Sequence, residues 1–270
     1  MKKIILMSLV ALMTITMTSC MGCDFAKPLV NVLIDGGSKD ETPTQVTEIN
    51  QPTTMESFNV VKMNGAFKVI YEQGTEYSVR VEASEEAFKE ITVYVKDNEL
   101  CISETTYQPS SKLDEVKIFV SSPELNTIDL IGSGSFAAEN AINLGSDPRV
   151  FVMGAGNISL KSVTCDGRSI FDVMESGNIV VGDLKANEAI VSTGDSGNIN
   201  FGTLECKFMF ASVSGSGNIN CDNITADKVE TSISGSGNVN LKGTVKEVNK
   251  EITGSGKLNI NGAAATDTVK

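Results

Sequence analysis

Apolar residues in the second half of the chain alternate with polar ones, and the pattern returns about every twenty residues. Alternation of this kind is typical of β-strands with one buried side, because successive side chains of a strand point to opposite faces. The main sets of recurring positions are Leu130, Val152, Val173, Thr193, Val213, Ile233 and Ile252; Phe136, Ile158, Ile179, Ile199, Ile219, Val239 and Leu258; Ala138, Leu160, Val181, Phe201, Cys221, Leu241 and Ile260; and Val163, Leu184, Leu204 and Ile224. The residues between them are mostly Asn, Ser, Lys, Asp and Thr.

Each repeat also carries a short glycine-containing triplet. The second glycines of the seven triplets are Gly134, Gly156, Gly177, Gly197, Gly217, Gly237 and Gly256, and they are spaced by 22, 21, 20, 20, 20 and 19 residues. Asparagine follows five of them, at Asn157, Asn178, Asn198, Asn218 and Asn238. We interpret the glycines as turn residues, which adopt positive φ without a Cβ penalty. The asparagines tolerate the same region and can hydrogen-bond to one another along a stack.

A period near twenty is the mark of a solenoid, in which each unit buries its apolar side against its neighbours. Stacking at the inter-strand distance of ~4.8 Å would align each set into an interior column. The chain between triplets is too short for a helix with this phasing. The pattern therefore predicts an all-β protein, a parallel β-helix with coils of about twenty residues. Right-handed coiling is favoured, because parallel β crossovers are usually right-handed.

The repeats occupy residues 132–262, and the preceding residues 53–131 hold shorter strand-like runs separated by turn signals such as Asn64-Gly65 and Asp97-Asn98. We expect this strand-rich part to cap or continue the solenoid. Residues 20–52, with their Pro, Gly, Thr and Gln, are interpreted as a tether, and residues 263–270 as a tail.

Residues 1–19 have the pattern of an export signal. A basic start at Lys2 and Lys3 precedes a short apolar run that ends in small residues. The segment ends at Met17-Thr18-Ser19-Cys20, which resembles the lipobox of bacterial lipoproteins, with Cys20 as the lipid-attachment residue. Cys23 is a second candidate, and a plain signal peptide is the alternative. The prediction is a cell-envelope protein held by a lipid anchor to the outer membrane, on its periplasmic or surface side.

Composition narrows the range of functions. The chain carries a net charge of −12, and removal of the two lysines of residues 1–19 leaves 20 basic and 34 acidic residues, or −14. Nucleic acid is therefore not expected as a partner. Histidine is absent, which removes the commonest general base and transition-metal ligand. The cysteines Cys101, Cys165, Cys206 and Cys221 allow a disulfide but favour buried thiols.

Acidic residues replace the first glycine of two neighbouring triplets, at Glu175 and Asp195, with Asp172 shortly before them. Adjacent coils would bring two of these carboxylates to strand spacing, where they could hold Ca²⁺ or act as an acid pair. The alternative is that they are solvated acids at a corner, and no firm metal site or cofactor is predicted.

Two stretches resemble a known family, the auto-transporter adhesin head GIN domain of Bacteroidetes lipoproteins. One contains Phe58–Val61 and Gly65–Ile70; the other is Pro123–Gly134, followed by the repeated Gly-Ser-Gly-Asn segments. The likeness spans about residues 55–262. It implies an all-β, β-helical fold and an envelope location, and it implies no catalytic residue.

The predicted function is non-catalytic: a binding, adhesion or structural module that presents a solenoid face to a glycan or an envelope protein. One alternative is a carbohydrate-active β-helix enzyme, a lyase or hydrolase, and another is a subunit of an envelope-stress sensor. A groove with two or three acids beside an Arg or Lys would favour the enzyme.

Overall fold

The computed structural model describes residues 46–47, 55–105, 113–262 and 267–269. The predicted export signal, both candidate anchor cysteines and most of the predicted tether lie outside these residues. Among the described residues, no helix has the length and apolar character needed to cross a membrane.

The described chain is nearly all-β, with 66% strand and 3% helix. The strands are β1 (Val46–Thr47), β2 (Val60–Asn64), β3 (Lys68–Gln73), β4 (Ser78–Glu82), β5 (Ile91–Lys96), β6 (Glu99–Glu104), β7 (Lys117–Ser122), β8 (Thr127–Ile131), β9 (Ser135–Asn143), β10 (Arg149–Met153), β11 (Asn157–Thr164), β12 (Arg168–Val173), β13 (Asn178–Lys185), β14 (Glu188–Thr193), β15 (Asn198–Val213), β16 (Asn218–Ile233), β17 (Asn238–Ile252), β18 (Lys257–Asn261) and β19 (Asp267–Val269). The short helix α1 (Glu85–Phe88) is capped by Ser84, and a 3-10 helix spans Leu113–Glu115.

The repeats form the predicted parallel solenoid of about seven turns. Each coil pairs in register with the next, so that Ile179, Ile199 and Ile219 are consecutive neighbours across β13, β15 and β16. These three side chains are 0 % exposed. The apolar sets predicted from the sequence are therefore the interior columns, except at the C-terminal end, where Ile252 is 39% exposed and Leu258 and Ile260 are partly exposed.

Each coil has three sides. In β15 the alternation of buried and exposed residues shifts phase after Phe201 and again after Cys206, and the glycine triplet makes the third corner. We name the sides by their residues in this coil: face A is 208–213, face B is 198–201 and face C is 203–206. The strands that pair with these segments belong to the same faces.

The N-terminal part both continues and caps the solenoid. On face A, β2 lies between β6 and β8, with Val61 opposite both Leu100 and Ile128. On face B, β3 lies between β7 and β9. The order of coils in space thus differs from the order in sequence. At the outer end, β4 and β5 pair antiparallel with β7 and β6, and so replace the parallel pattern of the coils.

The expected reason for the triplet glycines, positive φ, holds at two of the first glycines but is wrong for the second glycines. Of the triplet glycines in the described chain, Gly132 and Gly154 have positive φ, and none of the second glycines does. Close stacking requires them instead: a Cβ on Gly177 would lie 2.6 Å from the carbonyl oxygen of Gly156, and one on Gly197 would lie 2.7 Å from that of Gly177. The corners pack backbone on backbone, which leaves no room for a side chain.

The asparagines that follow these glycines also have negative φ, since the positive-φ residues other than glycine are Asp97 and Asn98 in the described chain. Their predicted stacking is confirmed. Asn178 donates from Nδ2 to Oδ1 of Asn157 at 2.9 Å, and Asn198 donates to Asn178 at 3.1 Å. The amide ladder continues through Asn218 and Asn238 at 3.1 Å each.

Candidate functional site: the outer surface of face A

In the C-terminal coils, the outer surface of face B is lined by amides that bind one another, whereas Val180 in β13 is an exposed apolar residue of this face. Besides the ladder at the corner, a second ladder joins Asn200, Asn220, Asn240 and Asn259 through bonds of 2.8, 2.8 and 2.7 Å. Ladders of this type satisfy the side-chain polar groups within the solenoid. We therefore assign face B a structural role.

Charged and hydroxyl residues line the outer surface of face C and its corners. Lys185 pairs with Glu205 in the next coil at 3.1 Å, and Lys246 pairs with Asp227 at 2.6 Å. All four side chains are more than half exposed, so each pair contributes little to stability. This face resembles an ordinary solvated surface.

On face A, apolar side chains point outward from several neighbouring strands. One column of outward positions contains Ile170, Ile190 and Phe210, consecutive neighbours across β12, β14 and β15. A second contains Ile131 and Met153, paired across β8 and β10. All five are partly exposed. We call these five residues, together with Phe151 and Met174, the apolar band.

Sequence reasoning missed this band, although a signal was present. Ile170, Ile190 and Phe210 recur at intervals of twenty residues, out of phase with the interior columns. A period-two pattern identifies one buried side of a strand, and apolar residues on the other side are the informative exception.

The band is flanked at its N-terminal end by paired charges. Arg149 binds Asp129 at 2.8 Å and lies over the Phe151 ring, 4.1 Å from its centroid, while Lys62 binds Glu99 at 2.7 Å. Burial raises the pKa of Asp129, and the neighbouring Arg149 opposes this shift. These four side chains, two cations and two anions, compensate one another in charge.

At the C-terminal end of face A lies a groove of about 480 Å³. It is lined by Phe210, Glu230, Thr231, Ser232, Asn249, Lys250 and Glu251. We call it the face A groove. Phe210, Glu230 and Asn249 are neighbours in one outward column, and Ser232 and Glu251 are neighbours in the next.

Glu230 is held in place at the edge of the groove. Its Oε1 accepts a hydrogen bond from Lys228 at 2.8 Å and one from Asn249 at 3.5 Å. The bond from Lys228 lowers the pKa of Glu230, and the same contact raises the pKa of Lys228. Lys228 also approaches Glu247 at 3.4 Å. Glu230 is therefore an ionised acceptor at neutral pH.

The three candidate calcium ligands do not come together as a site. Glu175 and Asp195 are exposed at stacked corners, where Ser196 N–H donates to the Glu175 carbonyl oxygen at 3.1 Å. Asp172 lies on face A, where it accepts a hydrogen bond from Ser192 Oγ at 2.6 Å. Within the described ranges, no three Asp, Glu, Cys or His side chains are grouped as they would be around a metal ion.

The four described cysteines are buried thiols, as favoured from the sequence. Burial raises the pKa of Cys206 to about 12 and that of Cys221 to about 11. Both thiols thus stay protonated at neutral pH and pack as small apolar groups rather than acting as nucleophiles.

Comparison with known proteins places this architecture in a family. Residues 57–264 match the family described as "Putative auto-transporter adhesin, head GIN domain". The chain belongs to the GIN-domain family. This confirms the resemblance found in the sequence, and the matched range contains all three faces of the solenoid, including the apolar band and the face A groove.

Solved structures with this GIN-domain fold are described as adhesins and as a lipid-binding protein. A "putative adhesin" from Bacteroides fragilis NCTC 9343 has 25% identity and a TM-score of 0.64, over 77% of this chain and 94% of that one. A "putative adhesin" and a "putative lipid binding protein", both from Parabacteroides distasonis ATCC 8503, each have 21% identity over the same shares, with TM-scores of 0.65 and 0.61. No curated protein matches the sequence.

Proposed function

We propose that this GIN-domain protein is a lipid-anchored envelope protein that binds another envelope component through face A, without catalysis. The observation that carries the proposal is the apolar band. Face A exposes parts of Ile170, Ile190 and Phe210 side by side. In the C-terminal coils, faces B and C direct mainly amides and ion pairs outward, and the exposed Val180 of face B is followed in its column by Asn200. Contiguous apolar surface rimmed by polar groups is typical of an interaction site.

The chemistry of the band favours a protein ligand over a glycan at its centre. Aliphatic and Met side chains gain binding energy from apolar surface, and they offer few hydrogen bonds to a polyhydroxylated ligand. The paired charges around Asp129 and Arg149 supply a polar rim, as at protein interfaces. One solved neighbour is described as a lipid-binding protein, but at 21% identity that likeness supports the fold alone.

The proposal is tested by placing a charge in the band. Ile190→Lys puts an ammonium group between Ile170 and Phe210, and binding should fall at least about tenfold, the effect of losing roughly 1.4 kcal/mol. The matched control is Val180→Lys, which changes an outward apolar residue of face B that is 44% exposed. Both changes are made in the Cys20→Ala protein, so that membrane insertion of a lipid does not contribute.

The measurement is saturable sedimentation with isolated envelopes from cells lacking the gene. Melting temperatures of the two variants verify that both remain folded. Equal binding by the Ile190 and Val180 variants would contradict face A as the contact surface. Absence of saturable binding by the parent protein would contradict the binding function.

The face A groove supports a second candidate, a carbohydrate-active enzyme. It contains two acids and a lysine, Glu230, Glu251 and Lys250, which is the arrangement named above as favouring that alternative. A glycosidase also needs a carboxylic acid that is protonated near neutral pH. The pKa of Glu230 is shifted in the opposite direction, so we place binding ahead of catalysis.

A further inference from the structure

We propose that the face A groove is a subsite for one neutral sugar ring of an envelope glycan. This deepens the proposed function and rests on it, since it assigns a ligand class to one end of the same face. The groove differs from the apolar band because polar side chains of β16 and β17 meet a single aromatic ring there.

The apolar part of the subsite is Phe210, which is partly exposed at one end of the groove. Ligand sites commonly combine such a surface with a few polar groups that fix orientation. A pyranose ring has an apolar face of C–H groups that can cover an aromatic side chain. Its hydroxyl groups then project sideways, toward the neighbouring strands.

Hydrogen-bonding groups stand where those hydroxyl groups would be. Glu230 and Asn249 follow Phe210 in the same column, so the three residues span two strand spacings, or about 10 Å. That length accommodates one ring and its substituents. Ser232 and Glu251 lie in the next column and offer a hydroxyl group and a carboxylate.

Glu230 is prepared to accept a hydrogen bond. Its contacts with Lys228 and Asn249 both use Oε1, and the carboxylate is ionised because Lys228 lowers its pKa. A fixed, ionised acceptor binds a hydroxyl donor more strongly than a neutral one, and its orientation is established before the ligand arrives.

The charges select against acidic sugars. Glu230, Glu247 and Glu251 carry three negative charges, and Lys228 and Lys250 carry two positive ones, which leaves −1. Lys228 is already engaged by two of these carboxylates. A uronate would bring a further negative charge to this site, so we expect glucose and galactose to bind and galacturonate to be rejected.

Saturation-transfer NMR on the full-length protein in detergent tests the subsite, with glucose, galactose and galacturonate as probes. We expect signals from the two neutral sugars that exceed the galacturonate signal at least fivefold. Phe210→Ala and Glu230→Gln should each reduce the neutral-sugar signal at least fivefold. Val180→Ala is the control, at an exposed apolar residue of face B outside both the apolar band and the face A groove, and it should leave the signal unchanged.

Three results would overturn the subsite: no signal from either neutral sugar, an equal signal from galacturonate, or an unchanged signal in Phe210→Ala while that variant keeps its melting temperature. Release of new reducing ends from an oligosaccharide such as cellotetraose, lost in Glu230→Gln, would show an enzyme instead. Failure of the subsite with intact, Ile190-dependent envelope binding leaves the proposed function standing. Loss of that binding alone would remove the proposed function and not the groove.

Discussion

Thr193 is a polar residue in an interior column of aliphatic side chains. It lies between Val173 and Val213, is 2 % exposed, and its hydroxyl oxygen has no hydrogen-bond partner within the described chain. An unsatisfied buried hydroxyl group costs about 1–3 kcal/mol, whereas valine has nearly the same shape and no polar group.

We therefore expect Thr193→Val to raise the free energy of unfolding by about 1 kcal/mol, measured by urea denaturation. The control is Thr203→Val, in which the threonine lies on the outer surface of face C. A lower stability of Thr193→Val would mean that its hydroxyl group is hydrogen-bonded in solution.

Gly197 was correctly predicted to be a corner residue, but for the wrong reason. The sequence places glycine at each corner, but it does not show whether positive φ or a lack of space for a side chain requires it. Gly197→Ala should destabilise the protein by about 2 kcal/mol, in the range for overpacking, because the new Cβ would lie 2.7 Å from the carbonyl oxygen of Gly177.

The measurement is thermal or urea denaturation, and Ser196→Ala in the same exposed turn is the control. A Gly197→Ala protein as stable as the control would show that the corner can separate to admit a methyl group. Glu175 and Asp195, which replace the first glycine of their triplets, also lack positive φ, so replacing them with glycine should not stabilise the turn.

At the scale of the element, the strands were predictable because short runs of alternating apolar and polar residues are separated by turn residues. The sequence predicts strands at Thr127–Ile131 and Ile91–Val95, and the structure has Thr127–Ile131 and Ile91–Lys96. Register was predictable too, since a one-residue slip would turn an entire apolar set outward. The sequence predicted only in part which outward asparagines hydrogen-bond to one another. A polar residue on the outer side of a strand can equally be hydrated.

Ile219→Asp tests the register. The aspartate would place an unpaired charge in the interior, at a position that is 0 % exposed between Ile199 and Val239. This should cost several kcal/mol and unfold at least the adjacent coils. Loss of amide protection in β15 to β17, measured by hydrogen exchange, would report it.

Asn220→Asp is expected to have an intermediate effect, about 1 kcal/mol, because Asn220 donates to Asn200 at 2.8 Å and aspartate cannot. Asn223→Asp provides a control with the same chemical change at an exposed position of β16. If Ile219→Asp and Asn223→Asp had equal effects, the assigned register would be wrong.

At the scale of the whole molecule, the solenoid and its family were predictable, while the arrangement of its first coils was not. Periodicity reports neighbours one repeat apart, but β2 and β3 stack on β8 and β9 after an excursion of about sixty residues that has no repeat. The face A groove was also unpredictable from the sequence. Its residues come from three coils, and within each coil they do not differ from the other outward residues. Handedness stays a prediction.

The position of the molecule in the envelope depends on Cys20, which lies outside the described residues. A lipid on Cys20, at the start of the predicted tether of residues 20–52, would hold the solenoid near a membrane while leaving face A free to reach a ligand.

Cys20→Ala should abolish incorporation of labelled palmitate and move the protein from the membrane fraction to the soluble fraction. Cys23→Ala is the matched control, three residues away, and should keep both the label and the membrane association. Label retained in Cys20→Ala but lost in Cys23→Ala would assign the anchor to Cys23. No label in the parent protein would contradict the lipoprotein assignment altogether and leave an exported protein with an ordinary signal peptide.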